Sequence, residues 1–548
     1  MEAGWARMND LIIIQASQGL CAYVLKQVQN AAQKGIVVGH DHRHNSERWA
    51  QLTAAVFLEN NVKVYLHRRL VHTPLVPFSV KKLGAACGVM ITASHNPKQD
   101  NGYKIISPHD HGIAETILAN LEPKTWETSL LDSSPLCVDR TDDMEKSYLE
   151  SLSVLCRNKS LNTTTNLKFV NTSMHGVSNN IMIKAFELFG FPPFTPVKEQ
   201  ALPDPEFPTV TFPNPEEKGA LDLALATAEK EGAQYVLAQD PDSDRFSAAE
   251  RGADGKWITF TGDQLGAIFA SAVLEDYRTT RKPLEKLAMV ASTVSSKMVE
   301  AMANKEGFRF AECLTGSNIS RVFSNVKFTT FLSGFKFIGN TALNLTAEGF
   351  ETPFGYEEAI GYMFGTDIRD KDGVAASMVF AELVTKLQLQ GKTASSHLQE
   401  LYERYGYFQT SNSYFICYDP PTIDRIFDRL RNYDGEGTAT SPSFPKSIAG
   451  LEVTSIRDLT IGFDSTNPPT YKPTLPLSSG HMVQFRAASN VGTRIMLTIR
   501  TSGTEPKIKY YLEGTGENAA VVGPLLGKVV TELAEEWMQA ALNKLKIP

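Results

Sequence analysis

Ser94 lies in the stretch of the chain with the clearest chemical potential. Residues 88–104 read Gly-Val-Met-Ile-Thr-Ala-Ser-His-Asn-Pro-Lys-Gln-Asp-Asn-Gly-Tyr-Lys. The apolar run 89–91 predicts a short buried strand, and the proline and Asn-Gly pair predict a turn behind it. A serine hydroxyl at such a turn can act as a nucleophile or carry a phosphoryl group, whose charge nearby cations would stabilise. Three basic side chains follow in sequence: His95, Lys98 and Lys104. An Asn-Pro turn with an incidental serine explains this stretch, taken alone, equally well.

Asp240, Asp242 and Asp244 alternate on one loop that follows a predicted buried strand. Three carboxylates this close repel one another unless a cation holds them, and oxygen-only ligands suit Mg²⁺. An EF-hand is disfavoured, because Arg245 stands where that loop needs glycine and Arg251 where it needs glutamate. The pattern favours a magnesium site, and an acidic solvated turn is the alternative.

The stretch Arg500-Thr-Ser-Gly-Thr504 lies between two predicted strands. A guanidinium, three hydroxyls and a tight glycine turn are typical of a nest for a phosphate monoester. An ordinary hairpin turn would use similar residues, so this motif indicates a phosphate site without requiring one.

Two further motifs give weaker signals. Glu357 and Glu358 lie between glycines and could accept hydrogen bonds from sugar hydroxyls, although two acids at a helix N-terminus would look the same. Lys371, within Asp-Lys-Asp, could contact a phosphate or transfer a proton, although a solvated lysine is the more common explanation.

Composition excludes several classes of protein. The chain has 548 residues, 42% of them hydrophobic and 21% charged, with a net charge of −7 and no basic block. A nucleic-acid partner is therefore not expected. The six cysteines form no CxxC pair, which disfavours a zinc site and fits a reducing compartment. No apolar run approaches a membrane span and no signal-peptide pattern begins the chain, so we expect no membrane partner and a cytoplasmic protein. Walker A, GxSxG and strand-following GxGxxG motifs are also missing.

The alternation of strands and helices that must position these motifs predicts an α/β fold. Three strand-loop-helix units recur, and their site loops are expected at the carboxyl ends of strands. The fourth unit is richer in Pro, Ser, Thr and Gly and is predicted to be α+β. The expected domains and their loops are 1–155 with the serine loop, 156–286 with the aspartate loop, 287–395 with the glutamate loop and 396–548 with the phosphate loop.

Two local predictions concern helices. Asn214-Pro-Glu-Glu217 has the features of a helix start, since asparagine is a good N-cap, proline suits the first helical position and the acids suit the dipole. A C-terminal helix is expected over 519–545.

Four motifs together resemble the α-D-phosphohexomutase superfamily. They are Thr92-Ala-Ser-His-Asn-Pro97, Asp240-Pro-Asp-Ser-Asp-Arg245, Gly355-Tyr-Glu-Glu358 and Arg500-Thr-Ser-Gly-Thr-Glu-Pro506. Their order and rough spacing match the family over nearly the whole chain. Gly355-Tyr-Glu-Glu-Ala-Ile-Gly361 and Lys371-Asp-Gly373 are similar to the branch that contains phosphoglucomutase-2 and phosphopentomutase.

The resemblance implies three similar α/β domains and a C-terminal α+β (TBP-like) domain around a central cleft. It implies a phosphoserine at Ser94, which binds Mg²⁺, one ion per chain, together with Asp240, Asp242 and Asp244, with Arg245 beside them. Other positions match family sites for catalysis (Ser94, His95, Lys104, Lys371, with Arg43 on a neighbouring loop) and for substrate binding (Glu357, Glu358, Arg500, Ser502, Gly503, Thr504).

The implied activity is a sugar-phosphate mutase. Phospho-Ser94 would donate to a sugar monophosphate, and the bisphosphate formed would reverse and return its other phosphate. The expected substrates are ribose 1- and 5-phosphates and also glucose 1- and 6-phosphates, with a sugar bisphosphate as activator. A monomer or weak dimer is expected.

The chain departs from the family pattern in three places. Relatives carry a Gly-Thr-Ala-Gly-Leu-Arg-like stretch before the region where this chain starts, and about ten more residues after Lys104. They also lack the segment 317–334. A non-catalytic sugar-phosphate-binding paralogue and a sugar-1,6-bisphosphate synthase therefore remain alternatives, and the segment 317–333 is expected to be disordered or poorly packed.

Overall fold

The computed structural model describes residues 2–4, 7–106, 112–314, 335–437, 442–502 and 506–547, together with the backbone of 319–323 and 326–330. The chain divides into two compact units. The first comprises 1–292, 308–312 and 321–398, and the second comprises 293–307, 313–320 and 399–548. This division is coarser than the four predicted domains, whose boundaries stay predictions. Within the described residues, no helix combines the length and apolar character needed to cross a membrane.

Helices and strands alternate along the first unit, as the sequence pattern predicts. The helices are α1 (Asp10–Gln27), α2 (Ala31–Lys34), α3 (Ser46–Glu59), α4 (Leu75–Leu83), α5 (Ile113–Leu118), α6 (Leu130–Ser133), α7 (Thr141–Ser153), α8 (Lys159–Thr164), α9 (Ser178–Phe189), α10 (Asp222–Glu231), α11 (Gly262–Thr279), α12 (Met298–Glu306), α13 (Phe335–Ala347), α14 (Gly373–Leu389), α15 (Ala394–Tyr405), α16 (Pro420–Arg431) and α17 (Ala519–Glu532). The strands are β1 (Ile36–His40), β2 (Val64–Leu66), β3 (Cys87–Ile91), β4 (Tyr103–Ile106), β5 (Cys137–Val138), β6 (Phe169–Thr172), β7 (Thr195–Pro196), β8 (Tyr235–Gln239), β9 (Phe246–Arg251), β10 (Trp257–Thr259), β11 (Leu287–Ser292), β12 (Arg309–Cys313), β13 (Ile319–Phe323), β14 (Val326–Thr330), β15 (Glu351–Glu357), β16 (Gly361–Phe364), β17 (Tyr407–Thr410), β18 (Ser413–Ile416), β19 (Ser447–Ile448), β20 (Leu451–Asp458), β21 (Phe463–Asp464), β22 (Met482–Ala488), β23 (Arg494–Thr501) and β24 (Lys507–Gly516).

The first sheet has the order β4-β3-β1-β2-β5. β1 pairs in parallel with both β2 and β3, so the loops that follow β1 and β3 emerge side by side at the same sheet edge. The core strands β1 and β3 are buried along their whole length, which explains their continuous apolar sequences. The serine loop after β3 therefore starts from a rigid, fully buried strand.

The second and third sheets repeat this arrangement. The second has the order β10-β9-β8-β6-β7, and β8 pairs in parallel with β6 and antiparallel with β9. The third has the order β12-β11-β15-β16, with β11 parallel to β15 and β15 antiparallel to β16. The aspartate loop joins β8 to β9, and the glutamate loop joins β15 to β16.

The second unit contains an antiparallel sheet with the path β17-β24-β23-β22-β20-β19. Helices α16 and α17 supply apolar side chains to its core, including Phe427 and Val529, and Trp537 packs there at 0% exposure. A sheet with helices on one side is α+β. The predicted fold class, three α/β modules followed by a C-terminal α+β module, is confirmed.

Three local predictions were wrong. Asn214 does not begin a helix: Glu217 N donates to Asn214 O at 2.9 Å in a turn, and α10 begins at Asp222. The C-terminal α-helix ends at Glu532 and continues as one wider, π-type turn. The expected disorder of 317–333 does not hold for β13 and β14, which pair with each other, while the rest of that segment lies outside the described residues.

Candidate active site

Ser94 lies on the loop between β3 and β4 in the left-handed backbone conformation, with φ of 53°. Its N–H donates to Thr92 Oγ1 at 2.9 Å, which stabilises this uncommon conformation. Its hydroxyl donates to Asp240 Oδ2 at 2.7 Å and lies 3.3 Å from Nδ1 of His95. The side chain is 8% exposed. The serine and aspartate loops, 146 residues apart in sequence, therefore meet at this hydroxyl.

The three aspartates place one carboxylate oxygen each within 4.8 Å of one another. Asp240, Asp242 and Asp244 are all buried. Burial, reinforced by the two neighbouring carboxylates, raises the pKa of Asp240 well above its usual range. Burial also opposes ionisation of Asp242, but the Lys104 ammonium outweighs it and holds the pKa of Asp242 below its usual range. Such opposed shifts show that the cluster needs compensating positive charge.

A divalent cation fits this cluster. In the described part of the chain, Oδ1 of Asp242 and Oδ1 of Asp244 are buried and accept no hydrogen bond. Buried carboxylate oxygens without a donor are costly unless an ion coordinates them. The donor set is entirely oxygen, which suits a hard cation such as Mg²⁺. The triad is thus a candidate metal site, as the sequence pattern indicated.

Lys104 lies at the end of the triad opposite Ser94. Its Nζ is 2.6 Å from Asp242 Oδ2 and 2.9 Å from Asp244 Oδ2. Burial alone would lower the pKa of Lys104, but the two carboxylates outweigh it and raise that pKa. Thr73, which no motif in the sequence pointed to, donates its hydroxyl to Asp242 Oδ2 at 2.6 Å and its N–H to Asp242 O at 2.8 Å. Only the folded chain brings Thr73 to this loop.

Lys371 joins the glutamate loop to the aspartate loop. Its Nζ lies 3.5 Å from Asp244 Oδ2 and 3.6 Å from Glu357 Oε1. Burial would lower its pKa, but these two carboxylates raise it, so Lys371 stays an ammonium ion at neutral pH. Gly373, just after it, donates to Ser243 O, and a Cβ there would overlap Arg245 O. Arg245 in turn donates its N–H to Asp240 Oδ1 at 3.0 Å.

Glu357 and Glu358 lie at a strand end, since β15 ends at Glu357 and β16 begins at Gly361. The alternative of a helix N-terminus at these two acids was therefore wrong. Glu357 is 9% exposed, and Ser292 donates its hydroxyl to Glu358 Oε2 at 3.1 Å. A rigid hairpin thus presents two carboxylates next to Lys371.

Arg43 lies under the serine loop. Its guanidinium donates to the carbonyl oxygens of four residues of that loop, Ser94, Asn96, Pro97 and Asp100, at 2.5–3.1 Å. Its side chain is 1% exposed. These contacts favour a role in positioning the serine loop over the catalytic role that the sequence suggested.

The predicted phosphate loop follows β23 in the second unit. The Arg500 guanidinium donates to the Tyr511 hydroxyl at 2.9 Å, and its carbon lies 5.4 Å from the ring centre. Ser502 N donates to Lys507 O at 2.9 Å, which closes the turn. Gly503 and Thr504 lie outside the described residues.

Burial lowers the pKa of His95 well below 6.5, and the nearby Arg245 lowers it further. The imidazole beside Ser94 is therefore neutral at pH 7. The first unit thus combines a buried hydroxyl, a neutral imidazole, an oxygen-only cation site and two ammonium groups. This set can transfer a highly charged group such as phosphoryl, whose reaction needs positioning and charge neutralisation.

Comparison with known proteins supports this chemistry. Three family models described as phosphoglucomutase/phosphomannomutase, alpha/beta/alpha domains I, II and III, match residues 1–130, 146–254 and 319–405. The "Probable phosphoribomutase" of Schizosaccharomyces pombe is 43% identical over 100% of this chain and 90% of its own. The "Phosphopentomutase" of Homo sapiens is 45% identical over 94% of this chain and 83% of its own. The human "Glucose 1,6-bisphosphate synthase" is 42% identical over 100% and 87%.

Solved structures share the fold. The Paramecium phosphoglucomutase pp63/parafusin superposes with a TM-score of 0.66 at 18% identity, over 97% of this chain and 92% of its own. A Thermus thermophilus structure titled as a phosphomannomutase gives 0.64 at 19% identity, over 96% and 95%. With the family matches and the curated relatives, these similarities establish that the chain belongs to the α-D-phosphohexomutase superfamily, in the branch that contains the phosphopentomutases.

Proposed function

We propose that the protein is a phosphopentomutase that interconverts ribose 1-phosphate and ribose 5-phosphate, with a secondary activity on glucose 1- and 6-phosphates. The observation that carries this proposal is the contact of Ser94 Oγ with Asp240 Oδ2 at 2.7 Å inside a buried aspartate triad. The relatives named phosphoribomutase and phosphopentomutase support the pentose preference.

The proposed reaction uses Ser94 as a phosphoryl carrier. A free hydroxyl of the sugar monophosphate attacks the phosphorus of phospho-Ser94, the bond from phosphorus to Ser94 Oγ breaks, and a sugar bisphosphate forms. The hydroxyl proton leaves, and Ser94 Oγ regains one. After the bisphosphate turns round, Ser94 attacks its other phosphate and releases the isomeric monophosphate. A sugar bisphosphate therefore activates the enzyme by phosphorylating Ser94.

The charged groups around Ser94 have separate proposed roles. His95, neutral at pH 7, is the ring closest to Ser94 Oγ and exchanges a proton with it. Lys104 and Lys371 stay charged, because carboxylates raise their pKa values, so they neutralise charge on the transferring group rather than act as bases.

The remaining proposed roles concern the metal and the substrate. Asp240, Asp242, Asp244 and Ser94 would hold Mg²⁺, which when bound supplies positive charge to the transferring phosphoryl group. Glu357 and Glu358 would accept hydrogen bonds from sugar hydroxyls. The non-reacting phosphate would bind to a separate set: Arg500, Ser502, Gly503 and Thr504.

A sugar-1,6-bisphosphate synthase is the second candidate, because human glucose 1,6-bisphosphate synthase matches the whole chain at nearly the same identity as the pentomutase. A synthase uses an external phosphoryl donor and accumulates bisphosphate. A mutase with catalytic bisphosphate converts one monophosphate into the other without net consumption.

The test compares the wild-type protein, Ser94→Ala and the exposed control Ser160→Ala. Turnover of ribose 1-phosphate and glucose 1-phosphate is measured with and without bisphosphate, and intact mass reports covalent phosphate. We expect Ser94→Ala to lose both turnover and covalent phosphate while the control keeps both. Full activity in Ser94→Ala would exclude the phosphoserine mechanism. A higher kcat/KM for glucose 1-phosphate would overturn the pentose preference, and bisphosphate accumulation would favour the synthase.

A further inference from the structure

Arg43 organises the whole serine loop through its backbone. The four carbonyl oxygens that it binds span residues 94–100, so one planar guanidinium fixes the path of the loop on both sides of its proline. Lysine could not reproduce these contacts, since it carries a single point charge without the planar array of donors. Anything that orients the Arg43 guanidinium therefore orients Ser94.

The ring of Phe207 lies on the Arg43 guanidinium, with 4.9 Å from the guanidinium carbon to the ring centre. Phe207 comes from the module built on the second sheet and is 4% exposed. A cation held on an aromatic face in a desolvated site is attracted by the ring quadrupole, which an aliphatic side chain lacks. Phe207 is thus the face against which Arg43 is held.

The backbone of Phe207 has φ of 46°, an uncommon conformation for an aromatic residue. Strain of this kind persists only where surrounding contacts impose it, and it occurs preferentially at functional sites. Here a series of hydrogen bonds imposes it. Asp204 N donates to His175 O at 2.9 Å, Glu206 N to Asp204 Oδ1 at 2.8 Å and Phe207 N to Asp204 O at 3.2 Å. The loop that carries Phe207 is therefore built to present this ring.

A second contact joins the same two loops at the surface. Glu206 Oε2 accepts from Lys98 Nζ at 2.7 Å, and Glu206 Oε1 lies 2.6 Å from His44 Nε2. These side chains are about half exposed, so solvent screens their attraction. The buried ring contact, and not this surface pair, is expected to dominate.

We propose that Phe207 is a positioning residue for phosphoryl transfer: it holds Arg43, Arg43 holds the serine loop, and the loop keeps Ser94 Oγ against Asp240. The proposal rests on the proposed function and deepens it. It explains how the module that carries the aspartate triad also sets the position of the serine that the triad serves. A displacement of about 1 Å at a reacting atom can cost roughly 100-fold in rate, so loss of this support lowers kcat.

The test uses three variants of the full chain: Phe207→Leu, Phe207→Tyr and the control Phe191→Leu. Phe191 is 6% exposed and packs on Phe169 and Phe186 in the same module, so its loss removes a similar apolar volume without touching Arg43. We expect Phe207→Leu to lower kcat about 10-fold or more with less than about a 2-fold change in KM. Phe207→Tyr, which keeps the aromatic face, should retain kcat, and Phe191→Leu should retain it despite a lower thermal midpoint.

Hydrogen exchange of residues 92–102 provides a readout that does not depend on activity. Exchange should accelerate in Phe207→Leu and match the wild type in the other two variants, even if the wild-type protein proves to have a different activity. Failure of the proposed function and failure of the positioning role are therefore distinguishable. Equal protection of the loop in Phe207→Leu and wild type would overturn the proposal, as would a proportionate loss of kcat in Phe191→Leu.

A double-mutant cycle tests whether Phe207 acts through Arg43. In an Arg43→Lys background, Phe207→Leu should cause no further acceleration of exchange in the serine loop, because the two substitutions disrupt one contact. Additive effects would show that Phe207 reaches the loop by another route and would overturn the proposed chain of contacts.

Discussion

Replacement of Lys104 by methionine tests the electrostatic account of the aspartate triad. Lys104 Nζ lies 2.6 Å from Asp242 and 2.9 Å from Asp244, and its side chain is 19% exposed. Methionine keeps most of the apolar stem but removes the charge. Two buried carboxylates then lose their nearest compensating cation, and we expect the protein without metal to be destabilised.

The expected size follows from the burial of the pair. Removing one partner of a buried ion pair costs about 3–5 kcal/mol, because the remaining charge is left uncompensated. The partial exposure of Lys104 places the expected loss near the lower bound, about 3 kcal/mol. For a module of about 150–250 residues, each kcal/mol lowers the thermal midpoint by about 2–4 °C, so the affected transition should fall by about 6–12 °C.

Scanning calorimetry in EDTA and in millimolar Mg²⁺ measures this effect. A divalent cation bound to the triad replaces the missing positive charge, so Mg²⁺ should raise the midpoint of Lys104→Met by more than it raises that of the wild type. Turnover should stay low in both conditions, because Lys104 also neutralises the transferring group.

Lys81→Met is the matched control. Lys81 lies 3.2 Å from Asp367 in a pair that is about half exposed, so its loss should change the midpoint little. If Lys104→Met in EDTA melts with the wild type, or if Mg²⁺ stabilises both proteins equally, the triad does not depend on Lys104 for charge compensation and the reasoning is refuted.

Three further predictions follow from neighbouring contacts. Asp242→Ala should lose both turnover and the Mg²⁺-dependent rise in midpoint; EDTA-insensitive turnover by the wild-type enzyme would contradict this. Tyr148→Phe removes the hydroxyl that donates to both carboxylate oxygens of Asp372 at 3.0–3.1 Å, beside Lys371, and should lower stability by about 1–3 kcal/mol as a buried acceptor loses its donor; an unchanged denaturation midpoint would show that the bond contributes nothing. His67, 1% exposed, has its pKa lowered by burial from 6.5 to about 4, so the unfolded chain binds a proton that the folded chain excludes between these values. Stability is therefore full above pH 6.5 and falls as the pH drops, by about 2 kcal/mol at pH 5 from this residue. His67→Gln should accordingly show a smaller fall in midpoint between pH 7 and pH 5, and an equal fall in both proteins would refute the assignment.

The sequence by itself determined the modules and the motifs. Strand and helix patterns depend on neighbours a few residues apart, so the buried strand before Ser94, the α/β alternation and the helix Gly373–Leu389 could be predicted closely. The aspartate loop was also predictable, because alternating carboxylates within five residues carry their own electrostatic signature.

Tertiary structure decided which residues complete the site. Thr73 and Asp242, or Arg43 and Phe207, meet only because separate sheets bring their loops together, and no local pattern records such distances. The same reason explains the errors. Asn214 has every local feature of a helix N-cap, yet it lies in a turn, because tertiary packing outweighs the small energies of local propensity. Local sequence thus specifies elements and reactive groups, whereas the long-range packing of buried loops determines which groups act together.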